Sequence, residues 1–86
     1  MSNKISQKVL KYTAIFEPAE EGGYVVSVPV LPGCITEGDT FEEAVEMVKD
    51  AINGYLTVLK DEGLEIPRET EDVVVTKVSV NPAFSI

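Results

Sequence analysis

The chain reads as an α+β domain of order β-β-β-α-β, with a single mainly antiparallel sheet and one long helix packed on one face. Three observations predict this. Short runs of alternating apolar residues recur before residue 38. An apolar stripe at helical spacing follows from Phe41 to about Glu62. A valine-dense alternating run, Val73 to Val80, comes last. At 86 residues the chain is one domain, spanning 1–86, with 1–8 expected as a flexible N-terminal tail and 81–86 as a C-terminal tail.

In order, Val9 to Phe16 alternates, with Leu10, Tyr12, Ala14 and Phe16 on one face and Val9, Lys11, Thr13 and Ile15 on the other. Residues 17–23, EPAEEGG, suit a hairpin with a longer loop. Tyr24, Val26 and Val28 form one face of a second strand. A turn forced by Pro29, Pro32 and Gly33 leads into a third short strand, Cys34 to Glu37. Thr40 and Glu43 then make a capping box, whose loss typically costs about 1 kcal/mol. In the helix, Phe41, Ala44, Val45, Val48, Ile52, Tyr55, Leu56 and Leu59 share one stripe, and Gly63 and Pro67 end it. At about 1.5 Å per residue it is roughly 33 Å long and crosses a small sheet completely.

The run Val73 to Val80 places Val74, Thr76, Val78 and Val80 on one face and Val73, Val75, Lys77 and Ser79 on the other, the pattern of a fourth strand. Pairing parallel to an earlier strand would make the crossover right-handed. A single helix shields only one sheet face. The other would carry Ile15, Val25 and Val73 or Val75, which points to a homo-oligomer, a dimer first and a tetramer next.

The formal net charge is −8, and all fifteen carboxylates lie between Glu17 and Asp72, against only Lys49, Lys60 and Arg68 there. So acidic a body disfavours direct nucleic-acid binding and favours a basic protein partner. The chain has no histidine, which removes imidazole acid–base chemistry, Ser-His and Cys-His pairs, and histidine-based metal sites. Cys34 has no neighbouring cation to activate it and reads as a small core residue. Converging carboxylates on neighbouring strands, which metal-dependent nuclease chemistry needs, are not evident. No catalytic, metal or cofactor site is therefore expected. Glu37, Asp39, Glu42 and Glu46 belong to an acidic cluster at the helix start, along with Glu43. The cluster is either a solvated helix end or a docking surface for a basic partner. No apolar run approaches a membrane span and no secretory signal is visible, so a cytoplasmic protein is expected.

The run Pro29-x-Leu31-Pro32-Gly33-Cys34-x-Thr36-x-Gly38-Asp39-Thr40-x-Glu42-Glu43-Ala44 carries a specific resemblance. Preceded by Tyr12-x-Ala14 and Glu20-Glu21-Gly22-Gly23-Tyr24-x-Val26, and followed by Ala51-Ile52 and Gly63-x-x-Ile66-Pro67, it resembles the N-terminal domain of HicB-type antitoxins over roughly residues 9 to 67. The resemblance implies a β-β-β-α-β domain similar to a reduced ribonuclease H-like fold without its catalytic carboxylates. It also implies a partner, HicA, a small basic toxin that cleaves mRNA using a histidine. Two departures stand out. Val30 occupies the place of the family's usual aspartate, and the 20 residues after Ile66 do not read as the DNA-binding module many members carry. The function expected is an antitoxin-like module acting by occlusion. The alternative is a stand-alone homo-oligomeric regulatory or structural domain with no toxin partner.

Overall fold

The structure, a computed structural model, describes residues 9–69 and 74–86. Its elements are β1 (Ile15–Pro18), β2 (Tyr24–Ser27), β3 (Ile35–Gly38) and α1 (Phe41–Asp61). The strands form an antiparallel sheet of order β1-β2-β3. Register follows the alternation: Phe16, Val26 and Thr36 lie in one row, while Ile15, Ser27 and Ile35 lie in the next. The helix covers the face that carries Val26. Val26, Val28, Leu31 and Cys34 are buried there with Ala44 and Val48 of α1, and Phe16, Tyr24, Ile52, Tyr55 and Leu56 pack around them.

Gly38 sets how closely the helix can sit on the sheet. A Cβ built there would lie 2.5 Å from the Ala44 backbone nitrogen, so a side chain at 38 would push α1 off β3. The helix ends are closed as the spacing predicts. Glu43 N–H donates to Thr40 Oγ1 at 3.0 Å, and Asp39 N–H donates to Glu43 Oε1 at 2.5 Å. At the far end Gly63, at φ 71°, allows its own N–H to reach the Lys60 carbonyl and the Leu64 N–H to reach that of Leu59, a Schellman closure.

Two expectations are corrected. The first strand pairs only over Ile15–Pro18, although the alternation starts at Val9. The ladder stops because Pro29, the residue opposite Thr13 in this register, has no N–H to offer, and the Thr13 N–H turns instead to the Glu69 carboxylate. The fourth strand does not form: residues 74–80 belong to no sheet. Alternation predicts which side chains share a face but supplies no neighbour for the backbone, and this segment pairs with no strand. The expected start of that strand, Val73, and the N-terminal tail, 1–8, lie outside the described residues. Residues 81–86 are exposed and irregular.

The segment after the helix is nonetheless tied to the sheet. Tyr12 O–H donates to the Pro67 carbonyl at 2.5 Å, and the Glu69 carboxylate accepts from Thr13 Oγ1 at 2.6 Å and from Thr13 N–H at 2.5 Å. Hydrogen bonds from the Thr13 hydroxyl and then its amide hold the Glu69 carboxyl below the ordinary value of 4.5. A depressed native pKa stabilises the folded form above the unfolded value, and that contribution disappears as pH falls through the native one. Acidification below 4.5 is therefore expected to release this latch. In an amide-detected NMR titration the Thr13 N–H should follow a midpoint below 4.5. A midpoint at or above that value would show that the carboxylate is not held.

Candidate docking surface

The residues singled out by charge lie around the start of α1, but they do not form one cluster. Glu42 and Glu46 are exposed and one helical turn apart, so they share a ridge. Asp39 is exposed in the bend just before the helix, at the N-terminal end of that ridge. Glu37 points the other way. It is in line with Val25 and Glu17 on the face that α1 leaves uncovered, whereas its neighbours Thr36 and Gly38 face the helix. Glu43 is engaged in the capping box. Glu46 meets Lys49 Nζ at 3.4 Å, with both side chains mostly in solvent, an arrangement worth well under 1 kcal/mol. The ridge thus keeps its carboxylates available at the electropositive end of the helix dipole, where anions are favoured.

Phe41 is the residue that the stripe assigns wrongly. Spacing places it with the core, yet it is 46% exposed. Its ring lies 4.8 Å from that of Phe16 and 5.9 Å, edge-on, from that of Tyr24. Its place at the first position of the helix is the signal, because a first-turn side chain overhangs the sheet end. The result is an apolar step beside the acidic ridge, held by the capping box and the close contact at Gly38.

The turn from Val28 to Cys34 stiffens the approach to this surface. Leu31 N–H bonds to the Val28 carbonyl and Cys34 N–H to the Leu31 carbonyl, with Leu31 itself fully buried. Tyr55 O–H donates to the Pro32 carbonyl at 2.8 Å and so fastens the turn to α1. Val30, half-buried, packs against the core. Burial pushes the Cys34 thiol pKa up, which suits a packing role and not a nucleophile. Among the described residues no group of three or more His, Cys, Asp or Glu side chains is placed to hold a metal, and no helix is long and apolar enough to cross a membrane.

A small three-stranded sheet thus lies under one helix whose start is acidic and capped. Comparison with known proteins gives its family. A family model described as the HicB-like antitoxin of bacterial toxin–antitoxin systems matches residues 12–85. The chain is 45% identical over 65 residues to a UPF0150 protein of Thermoplasma acidophilum, covering 76% of this chain and 94% of that one. It is 36% identical over 74 residues to a UPF0150 protein of Synechocystis, covering 86% and 91%. It is also 49% identical over 51 residues to Antitoxin HicB 1 of Photorhabdus laumondii, covering 59% of this chain and 33% of that antitoxin. The chain belongs to the HicB-like antitoxin family, and its match to that antitoxin spans about a third of the antitoxin's length. The family match runs past Pro67 to residue 85, so the segment after the helix is part of the family's domain.

Proposed function

We propose that this protein neutralises a small, basic, mRNA-cleaving toxin of the HicA type by occluding it. Docking uses the Glu42–Glu46 ridge, Asp39 and the Phe41 step, with Glu37 outside the primary contact. The observation that carries this reading is an exposed acidic ridge on a stiff helix start in a chain of the HicB-like family. A preorganised charged surface loses little ordering entropy on docking and speeds encounter with a cationic partner. An apolar residue at the centre of such a charged rim serves as an anchor.

In this reading the protein acts by binding and not by catalysis. It works in the cytoplasm as a homo-oligomer, and its excess of acid keeps it off phosphate backbones. The test is titration of the purified protein against a small basic, histidine-bearing chain of the HicA type. A stoichiometric complex supports the reading. No heat of binding and no co-elution at micromolar concentration would favour a stand-alone domain instead.

A further inference from the structure

Residues 74–86 leave the body as an arm. Val74, Val78 and Val80 are 81%, 77% and 81% exposed, and Phe84 and Ile86 are also bare. A folded monomer rarely leaves such a row of large apolar side chains in water. The arm touches its own body through Val75, which helps line a small apolar recess with Thr13, Ile15, Pro29 and Val30.

The same body has a vacancy of matching chemistry. β1 is an edge strand, bonded to β2 on one side only. Helix α1 packs chiefly on β3 and β2, so it overhangs β1. Beneath the overhang runs a groove of about 730 Å³, lined by Tyr12, Ala14 and Phe16 on the sheet side and by Val48, Ile52 and Leu56 on the helix side. A strand added at the β1 edge presents alternate side chains to this groove and to the uncovered face. The arm has that pattern, with Val74, Thr76, Val78 and Val80 on one side and Val75, Lys77 and Ser79 on the other.

We propose that residues 74–80 form a donated strand: in a two-fold dimer each arm adds to the β1 edge of the partner protomer, and its Val74, Thr76, Val78 and Val80 face fills the partner's groove. No residue of the arm lines the groove of its own chain, while a second copy presents an identical one. Reciprocal exchange closes both edges at once under a single two-fold axis. It also removes an exposed edge that would otherwise invite aggregation, by the strand addition that sheet edges commonly accept. The proposal deepens the homo-oligomer expectation and does not depend on the toxin reading.

Two full-length chains with tags of different size test it, one carrying Val78→Cys and the other Asn53→Cys, a residue that lines the groove. Cys34 is buried and stays in place. After co-refolding and treatment with a short bis-maleimide, a covalent heterodimer is expected. The double variant in one chain, Asn53→Cys with Val78→Cys, should likewise cross-link to twice 9.3 kDa. Cross-linking of that double variant confined to single chains would show that the arm folds back on its own groove and would overturn the proposal. Light scattering adds an independent reading: Val78→Lys with Val80→Lys should halve the mass to 9.3 kDa while helical circular dichroism persists. A dimer that survives that substitution overturns strand exchange but leaves oligomerisation standing. A monomeric parent protein at micromolar concentration overturns both. A groove that accepts cross-links only after a basic toxin is added assigns it to the toxin, and this too overturns the proposal. Toxin binding at the helix start is measured separately and stands or falls by itself.

Discussion

Replacing Leu31 by alanine is expected to cost about 3 kcal/mol, within the usual range for a fully buried leucine. Leu31 is 0% exposed and sits at the centre of the turn that also holds Val28 and Cys34 in the core. Among the described residues only six are buried, so neighbouring side chains have little scope to close the cavity. For a domain of this size such a loss lowers the midpoint of thermal unfolding by about 12–24 °C. The comparison variant is Leu64→Ala, at a residue 53% exposed, where the change should stay within about 0.5 kcal/mol. Thermal melts at a single protein concentration check this, because the midpoint of an oligomer moves with concentration. Equal losses for the two variants would mean that the turn does not seat Leu31 in the core.

The second large effect is on binding. Reversing both Glu42 and Glu46 to lysine moves the ridge by four charge units. It should slow association with a basic toxin by about tenfold or more at low salt, with a shallower dependence on ionic strength. Both side chains are exposed, so the fold should survive, with only the weak Glu46–Lys49 pair lost. Val48→Ala, at a residue 5% exposed, should instead reduce stability and leave the charge pattern intact. Circular dichroism separates the two variants before stopped-flow or surface binding is measured. Glu37→Lys, on the uncovered face, should have a much smaller kinetic effect. Unchanged kinetics in the Glu42/Glu46 reversal would reduce the ridge to a solvated surface and move the contact to the uncovered sheet face or the Tyr24 hairpin.

Much of this architecture is legible in the sequence because it is local. The spacing predicts a helix over about 41–62 and the helix spans Phe41–Asp61, since its cap, apolar stripe and C-terminal glycine all lie in one stretch of chain. The second and third strands lie within a residue or two of where alternation places them. What alternation does not encode is pairing. Leu10 to Ala14 keep the period of a strand but have no ladder partner, and the valines of the arm keep it without pairing to any strand. Leu31 lies in the turn that Pro29, Pro32 and Gly33 force, and an aliphatic residue there, in a turn that needs none, is itself a hint of burial. The latch from Glu69 to Thr13 joins residues 56 positions apart and leaves no trace in either segment. Of the site, the acidic residues were visible. Their division between the two faces of the sheet follows only from register, and the exposure of Phe41 only from its place at the helix end.

The central claim is that this chain silences a toxin by covering it. Its most direct test is an RNA-cleavage assay with a small basic toxin of the HicA type, titrated with the purified full-length protein. The account predicts that cleavage falls in proportion to the protein added and is abolished near equivalence, and that the Glu42→Lys/Glu46→Lys variant protects far less well. Undiminished cleavage in the presence of excess, correctly folded protein would contradict it.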